Sequence, residues 1–360
     1  MSLAGTVPRP AVADALPLVL RLDLPIDPAF DEALRAAPDV RLRVLPPRGA
    51  DADVAAALQS AMAYHVSSAK DELPPPWHVR AALLAQAPRL LFVSAYGAGF
   101  DTVDVAACTA AGVCVMNQAG SNANAVAEHA MGLVLGLSKR IAECDRKLRR
   151  GLPFSRHALM GFDLEGHTLG LVGIGHAGRR MAALGQAFGM RVLACDPWVA
   201  AEEITRRGAV PVDLASLLSQ ADVVSLHCPL DDSTRGLFDA AAFAAMKTGA
   251  LFISTARGGI HDEAALHDAL QRGQLAGAGL DVWTVEPPPA AHPLLALDNV
   301  IATHHIAGVT RQARRRMATM ASSQLLGALR GERPPRLVNP EAWPACEARL
   351  RASLATPIRP

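Results

Sequence analysis

Three residues that could together carry out proton transfer and anion binding each come shortly after a separate apolar run of the chain. They are Arg257, Glu286 and His305. The apolar runs are short and bounded by turn residues, which is typical of buried strands in a parallel sheet. In such sheets, ligands bind at the carboxyl ends of the strands. The sequence therefore predicts that these three side chains share a site.

Their chemistry suits hydride transfer to a carbonyl group. A planar guanidinium such as that of Arg257 can bind a carboxylate through two parallel hydrogen bonds. A carboxylate such as Glu286 would hold the imidazole of His305 in one orientation and favour its protonated form. Protonated histidine can donate to a carbonyl oxygen, and neutral histidine can take the proton back. Each residue taken alone also has an interpretation without function. Arg257 could be a surface arginine in a turn, Glu286 a solvated acid in a loop, and His305 a histidine of the core.

A glycine-rich turn precedes this group in the chain. The apolar run from Leu169 ends in the pattern GxGxxG, formed by Gly173, Gly175 and Gly178. The first glycine permits a tight turn, the second leaves room for a pyrophosphate, and the third lets the next helix pack closely. That helix, predicted over Ala177–Phe188, would point its free N–H groups at the phosphates.

An acidic residue follows at the expected distance. Asp196 ends the apolar run Arg191–Cys195 and lies 18 residues after Gly178 (196 − 178). A carboxylate there would accept hydrogen bonds from the adenosine ribose hydroxyls and repel a 2′-phosphate, which favours NAD over NADP. A surface aspartate in front of Pro197 is the alternative.

The elements that must hold these residues alternate between strand and helix patterns. In the first third, three stretches have helix patterns and five read as strands: Leu16–Leu24, Val40–Leu45, Met62–Ser67, Leu90–Ala95 and Val113–Met116. Later strands are predicted over Leu169–Ile174, Arg191–Cys195, Val223–His227, Ala250–Thr255, Gly279–Val282 and Val300–Thr303. This rhythm predicts an α/β protein with doubly wound parallel sheets.

The remaining segments have simpler predictions. One long helix is expected from Asn122 to Leu148, capped by Asn122 or Asn124, and a loop from Gly151 to Gly166. A last helix is predicted over Thr310–Arg330, and the proline-containing chain from Pro334 is expected to be an extended strap.

Composition excludes several classes of function. The net charge of +1 and the lack of a long basic run argue against a nucleic-acid partner. The six cysteines contain no CxxC pair, so we expect buried free thiols, no metal site and no disulfide framework. The N-terminal residues do not have the pattern of a signal peptide, and the apolar stretch Ala125–Ser138 is too short to span a membrane. A cytoplasmic protein without a membrane partner is therefore expected.

Read together, these motifs resemble the D-isomer-specific 2-hydroxyacid dehydrogenase family. The resemblance runs from about Leu90 to Arg330 and is strongest after Gly166. It is carried by the order and spacing of six segments, which are YGAGFD at 96–101, GIGHAG at 173–178, HCPL at 227–230, TARGG at 255–259, DVWTVEP at 281–287 and HHIAG at 304–308.

The resemblance implies two doubly wound domains with the active site in the cleft between them. Residues 1–121 and 311–345 would form a discontinuous, flavodoxin-like substrate domain. Residues 122–310 would form the NAD-binding Rossmann domain, and residues 346–360 a C-terminal tail. The implied reaction is NAD-dependent interconversion of a small 2-oxo acid and its D-2-hydroxy acid, in a homodimer formed through the 122–148 helix region.

The resemblance also assigns roles to individual residues. The catalytic group would be Arg257, Glu286 and His305, with substrate contacts from Arg257 and from the turn formed by Tyr96, Gly97, Ala98 and Gly99. Cofactor contacts would come from Gly173, Gly175, His176, Ala177, Gly178, Asp196, His227, Cys228, Pro229, Thr255, Ala256, Arg257, Asp281, His305 and Gly308.

Two positions depart from the family pattern. His304 stands where the family usually has proline, and His176 stands where many relatives have arginine. We assign the catalytic role to His305 because Ile306-Ala307-Gly308 follows it in the family register. On an extended strand, His304 would face the opposite side. His65, at the end of a predicted strand, could line the cleft or be a buried histidine without a role.

Alternative functions remain open on the same scaffold. Formate dehydrogenases typically have glutamine where this chain has Glu286. A short form of D-3-phosphoglycerate dehydrogenase, without a regulatory domain, would have the same catalytic group. An NAD-sensing regulatory protein could also keep these residues, and failure to turn over any 2-oxo acid would favour it.

Overall fold

The structure is a computed structural model that describes residues 16–355 of the 360-residue chain. The segments on which the signal-peptide prediction depends and the last five residues of the predicted tail lie outside the described residues. Within that range the chain divides into two compact units. The first unit contains the chain up to Ser121 and from Arg314 onward, and the second unit runs from Asn122 to Ala313.

The described part of the first unit contains a five-stranded parallel sheet with the order β2-β1-β3-β4-β5. This is the flavodoxin-like order, as predicted. The strands are β1 (Leu18–Leu22), β2 (Arg41–Leu45), β3 (Ala61–Ser67), β4 (Phe92–Tyr96) and β5 (Cys114–Met116). The helices are α1 (Ala29–Ala36), α2 (Asp51–Ser60), α3 (Ala81–Gln86) and α4 (Val105–Ala110), then α12 (Arg311–Leu329), which starts three residues before the unit, and α13 (Trp343–Ala355).

The described residues of the second unit form a seven-stranded parallel sheet with the order β12-β11-β10-β9-β6-β7-β8. Its strands are β6 (Thr168–Val172), β7 (Arg191–Cys195), β8 (Val210–Pro211), β9 (Val223–Leu226), β10 (Ala250–Ser254), β11 (Leu275–Leu280) and β12 (Val300–Ala302). Counted from β6, this is the Rossmann order with one further strand, so the direction of strand addition reverses between β6 and β9. Ligands bind at the carboxyl ends of the strands at such a reversal.

Helices cover both faces of this second sheet. They are α5 (Ala123–Ser138), α6 (Ile141–Arg149), α7 (His176–Ala187), α8 (Ala201–Arg206), α9 (Leu214–Gln220), α10 (Ala240–Ala245) and α11 (Glu263–Gln271). Along β10, Leu251 and Ile253 join one buried cluster and Phe252 joins the other. Because side chains of a strand alternate between faces, a strand covered on both sides must be apolar throughout.

The prediction of one helix from Asn122 to Leu148 is wrong, because the helix is interrupted between α5 and α6. Arg140 has a left-handed backbone with φ of 53°. The Ser138 carbonyl, at the end of α5, accepts a hydrogen bond of 2.9 Å from the N–H of Phe162 in the following loop. Asn122 occupies the N-cap position of α5, but its side chain makes no capping hydrogen bond. A tertiary contact therefore ends the helix, and local helix propensity does not report it.

The expectation of an extended strap after Pro334 is also wrong for the segment that forms α13. Pro344 lies in the first turn of this helix, where proline is tolerated. Alanine, glutamate, arginine and leucine, which favour helices, follow it. Cys346 and Leu350, four residues apart, are fully buried on one face. The helix α2 and the short strand β8 were not predicted either.

Within residues 16–355, no helix is long and apolar enough to cross a lipid bilayer.

Candidate active site

The glycine turn of the second unit connects β6 to α7. Gly173 has φ of 91°, and a Cβ there would lie 2.7 Å from the Cys228 nitrogen. A Cβ on Gly178 would lie 2.3 Å from the Gly173 carbonyl oxygen. Gly175 is different, because a Cβ there would meet no atom within 4 Å. The protein's own packing therefore explains the first and third glycines, whereas the open space at Gly175 is what a pyrophosphate needs.

The start of α7 suits an anion. His176 and Ala177 are the first two residues of this 12-residue helix, and its first turn contains no acidic side chain. The first N–H groups of a helix lack internal acceptors and lie at its positive end. His176 is exposed at this point. The turn and helix together fit the phosphates of a dinucleotide.

Asp196 is attached to the same turn. It follows β7, and its carboxylate accepts hydrogen bonds from the N–H of Ile174 at 2.9 Å and from the N–H of Trp198 at 3.1 Å. Each carboxylate oxygen retains a further lone pair. A ribose hydroxyl could be bound there at a set distance from the phosphates.

The residues after β9 are neutral. His227 shares a hydrogen bond of 2.9 Å with the Ser225 hydroxyl, and burial lowers the pKa of its imidazole to about 4. Burial raises the pKa of the Cys228 thiol to about 11, so this thiol is not a ready nucleophile. Pro229 is exposed. These properties suit a wall beside an adenosine better than a reacting group.

Arg257 follows β10 and is partly buried. Its Nη1 donates to the Ala256 carbonyl at 2.7 Å, and Thr255 and Ala256 are buried beneath it. The next residue, Gly258, lies directly against the Trp283 carbonyl, since a Cβ at position 258 would be 1.9 Å from that oxygen. The loop carrying Arg257 is therefore in close contact with the segment that leads to Glu286.

Glu286 and His305 form the pair that the sequence suggested. His305 Nδ1 donates to Glu286 Oε2 at 2.9 Å, while Glu286 Oε1 accepts from the N–H of Trp283 at 3.1 Å. The side chain of Glu286 is 31% exposed and that of His305 is 39% exposed. Because Nδ1 is engaged by the carboxylate, Nε2 is the nitrogen left to exchange a proton with a ligand.

The electrostatics of this pair favour its charged form. Burial lowers the pKa of His305, but the hydrogen bond and charge of Glu286 outweigh it, so the pKa is raised above its ordinary value. Arg257 acts to lower this pKa and Asp281 to raise it. For Glu286, burial raises the pKa, but the hydrogen bond and charge of His305 lower it further, with a net decrease. The imidazolium is thus stabilised relative to the neutral ring.

The loop that presents His305 is organised by the carboxylate of Asp281, which is fully buried after β11. This carboxylate accepts from the Thr303 hydroxyl at 2.6 Å and from the N–H groups of Ile306 at 2.9 Å and Ala307 at 2.8 Å. The Asp281 carbonyl also accepts from the His305 N–H at 2.8 Å. The sequence analysis named Asp281 as a cofactor contact and did not predict that it organises this loop.

The strand argument used to choose between His304 and His305 is wrong. The strand β12 ends at Ala302, and His305 has a left-handed backbone with φ of 51°. The two histidines are therefore not related by strand alternation. Within the described range, His305 makes a hydrogen bond to Glu286 and His304 does not.

Gly308 packs on the start of α5. A Cβ at position 308 would lie 2.7 Å from Asn122 Nδ2.

His129 and Thr303 were missed by the sequence analysis. His129, on α5, donates through Nε2 to the Thr303 hydroxyl at 3.1 Å, which in turn donates to Asp281. Nε2 of His129 is also 3.7 Å from the Asp281 carboxylate. No local pattern connects a histidine at position 129 with residues about 170 positions later, so the sequence offered no signal for this contact.

In the first unit, the turn after β4 is held by its neighbours and presents two adjacent backbone N–H groups. Gly97 has φ of 120°, and its backbone exchanges hydrogen bonds with Gln118, while Asn117 donates to the Ala98 carbonyl. Within the described residues, no backbone carbonyl accepts from the N–H groups of Ala98 and Gly99. Two adjacent N–H groups at a strand end suit a carboxylate.

Two aromatic residues near this turn are held by the first unit itself. The Tyr96 hydroxyl donates to the Arg314 carbonyl at 3.2 Å and accepts from the Asp27 N–H at 3.3 Å. His65 is 3% exposed, stacks on Phe30 at 4.1 Å between ring centroids, and burial lowers its pKa to about 3. His65 is therefore a buried core histidine, which was one of the two interpretations of its sequence position.

Among residues 16–355, no cluster of three or more histidine, cysteine, aspartate or glutamate side chains could hold a metal ion. The six cysteines are free thiols.

Comparison with known proteins identifies the family. Residues 131–307 match the model of the NAD-binding domain of D-isomer-specific 2-hydroxyacid dehydrogenases. The chain is 40% identical to a glyoxylate reductase of Aeropyrum pernix over 265 residues, covering 72% of this chain and 79% of the relative. It is 38% identical to a D-3-phosphoglycerate dehydrogenase of Archaeoglobus fulgidus over 253 residues, covering 70% of this chain and 48% of the relative. The chain spans about half the length of such D-3-phosphoglycerate dehydrogenases.

Solved structures agree with this result. The crystal structure of D-lactate dehydrogenase from Aquifex aeolicus, complexed with NAD and lactic acid, is similar with a TM-score of 0.76 and 28% identity, covering 89% of this chain and 98% of that chain. The chain belongs to the D-isomer-specific 2-hydroxyacid dehydrogenase family. Its second unit is the Rossmann domain of that family, and NAD is its cofactor.

Replacing Glu286 should lower the pKa of His305. In Glu286→Gln the imidazolium loses its charged partner, so we expect the His305 pKa to fall below the wild-type value, which is itself above about 6.5. Histidine NMR titration measures this value directly. Glu202→Gln, an exposed glutamate in the first turn of α8, is the matched control. An unchanged His305 pKa in Glu286→Gln would contradict the assigned cause.

Proposed function

We propose that this protein interconverts a small 2-oxo acid and its D-2-hydroxy acid, with NAD as the hydride carrier. The observation that carries the proposal is the 2.9 Å hydrogen bond between Glu286 and His305, with Arg257 close enough to influence the pKa values of both. This group belongs to the same unit as a glycine turn that fits a dinucleotide. An acid, a carboxylate that orients it and a nearby guanidinium are what reduction of a 2-oxo acid requires.

When bound at the glycine turn, NADH would supply a hydride to C2 of the 2-oxo acid, and NAD would accept it in the reverse direction. His305 donates the proton from Nε2 to the C2 oxygen, and in the reverse reaction neutral His305 takes the hydroxyl proton. Glu286 stabilises the imidazolium and fixes the ring, so that Nε2 and not Nδ1 faces the substrate. Arg257 binds the substrate carboxylate.

The pH dependence follows from the raised pKa of His305. Reduction needs the protonated imidazole, so its rate is high below this pKa and falls as pH rises through it. Oxidation needs the neutral imidazole and rises over the same interval. The crossover lies above about 6.5, the ordinary pKa of histidine.

Two substrate classes are supported by particular observations. Similarity to glyoxylate reductases, of which this chain covers 79%, favours a small acid such as glyoxylate. Similarity to D-3-phosphoglycerate dehydrogenases supports a short form of that enzyme as the second candidate. Formate dehydrogenases of the family typically have glutamine at the position of Glu286, so Glu286 favours either of these two substrate classes over formate.

A panel of acids tests the reaction. With NADH, we expect reduction of at least one of glyoxylate, hydroxypyruvate, pyruvate, bulkier 2-oxo acids and 3-phosphohydroxypyruvate. With that substrate, His305→Asn should reduce kcat by roughly 10²–10⁴-fold, because a general acid is lost. His304→Asn is the control and should retain most of kcat. Tight NADH binding without turnover of any acid would point instead to an NAD-sensing regulator, and normal kcat in His305→Asn would move the role elsewhere.

The preference for NAD should depend on Asp196. In Asp196→Ala the carboxylate that would repel a 2′-phosphate is removed, so we expect the ratio of kcat/KM with NADH to that with NADPH to fall. Steady-state kinetics with NADH and with NADPH, measured for the wild type and for the variant, give this ratio for each protein. Asp213→Ala, an N-cap of α9 without a bond to the glycine turn, is the control. An unaltered ratio in Asp196→Ala would show that Asp196 does not bind the ribose.

We also propose a homodimer formed through the 122–148 region. Around α6, Ile141, Leu148, Leu152 and Phe154 are 57%, 79%, 45% and 65% exposed. The last three of these line a cavity of about 510 Å³. Adjoining exposed apolar side chains are typical of contact surfaces between proteins. A second copy of this chain is the partner that the family implies.

Leu148→Asp should convert this dimer to a monomer, because a carboxylate would be buried without a partner. Sedimentation velocity measures the change in mass. Val210→Asp, at a 46% exposed apolar residue on β8, should remain dimeric. A monomeric wild-type protein at micromolar concentration would contradict the proposal.

A further inference from the structure

The backbone of Trp283 and Thr284 lies where the loops carrying the acid–base pair and the guanidinium meet. The Trp283 N–H donates to Glu286, and its indole Nε1 donates to the Thr303 carbonyl at 3.0 Å, two residues before His305. Its carbonyl is so close to Gly258 that no side chain fits there. The position of this short segment therefore sets the positions of Glu286 and of the chain around it.

Glu263 holds this segment from outside the site. It is the first residue of α11, its side chain is 17% exposed, and its Oε1 accepts from the Thr284 N–H at 2.7 Å. This bond joins residues 21 positions apart and leaves Oε2 available for a second partner. The positive end of α11 favours the ionised carboxylate that makes the stronger hydrogen bond.

His292 is the second partner. Its Nε2 is 3.3 Å from Glu263 Oε2, and its Nδ1 accepts from the Leu294 N–H at 3.4 Å. Because Nδ1 accepts, the proton of the neutral ring is on Nε2, which donates to Glu263. The ring also contacts the indole of Trp283 edge-on, with 5.4 Å between centroids. The Glu263–His292 pair thus fixes both the backbone and the ring of the Trp283–Thr284 segment.

We propose that Glu263 is a positioning residue for the acid–base pair: through the Thr284 N–H it fixes the segment from which Glu286 reaches His305. The effect of Glu263 on catalysis rests on the proposed function. The effect of Glu263 on the Glu286–His305 hydrogen bond is independent of that function and can be measured without turnover.

Glu263 and His305 have different charged and titratable neighbours, so an effect of Glu263 on the pKa of His305 can be recognised as indirect. Glu263 has His292 and the neighbouring side chains of His261 and Asp262 around it. His305 has Glu286, Arg257 and Asp281. No contact between Glu263 and His305 is recorded in the described chain, so an effect of one on the other must pass through the intervening segment.

The test compares Glu263→Ala with Glu263→Gln and with Glu202→Ala in the full-length protein. Alanine removes the acceptor for Thr284, whereas glutamine keeps an oxygen acceptor of the same length. Glu202, exposed in the first turn of α8, is the matched control. Histidine NMR titration measures the His305 pKa, assigned with His305→Asn, and steady-state kinetics measure kcat and the KM for NADH.

We expect Glu263→Ala to lower the His305 pKa towards its ordinary value and to move the alkaline limb of the reduction rate to lower pH. Its kcat should fall by about tenfold to a hundredfold, since small displacements of catalytic groups have effects of this size. The KM for NADH should not change, because Glu263 is not part of the glycine turn. Glu263→Gln should restore most of the pKa and rate, and Glu202→Ala should match wild type.

An unchanged His305 pKa in a folded Glu263→Ala protein overturns the proposal. If Glu263→Ala does not fold, Glu263→Met takes its place, because methionine has a similar length and helix propensity but no oxygen acceptor for the Thr284 N–H. A wild-type His305 pKa in folded Glu263→Met would overturn the proposal as well. If no 2-oxo acid is reduced by wild type, the proposed function fails, and the NMR titration still decides the role of Glu263.

Discussion

The proposed chemistry of this protein depends on the hydrogen bond between Glu286 and His305. This bond raises the pKa of an imidazole that burial alone would lower, so the protonated form that can donate is stabilised. It also decides which ring nitrogen can face a ligand. Both effects need a short distance between two side chains that are 19 positions apart in the chain. Much of the local structure around them can be understood as the means of keeping that distance.

The means are hydrogen bonds from groups that do not react. Asp281 collects one hydroxyl and two N–H groups of the loop that carries His305. Trp283 connects the Glu286 carboxylate with the end of β12. These partners satisfy one another, so a buried carboxylate and a left-handed residue 305 are compatible with a stable fold. The same network explains why residue 258 must be glycine.

Patterns of hydrophobicity and turn residues were sufficient to predict the fold class and most strands. Strands such as Arg191–Cys195 have continuous apolar sequences that few other structures accommodate, and the GxGxxG turn has a role at each glycine. Features that depend on contacts distant in sequence were not predicted. The end of α5 at Ser138 depends on Phe162, the conformation of His305 depends on Asp281, and the bond from Thr284 to Glu263 has no local signature. The residue types of the site were therefore readable, whereas the groups that position them were not.

The most direct test of this account compares two pKa values in one protein. NMR titration gives the pKa of the His305 imidazole, and the pH dependence of kcat/KM for NADH-dependent reduction gives the pKa of the group that must be protonated. The account predicts that the two agree, that both lie above the ordinary histidine value of about 6.5, and that the rate falls as pH rises through them. A rate that stays constant while His305 loses its proton would contradict the central role of this residue.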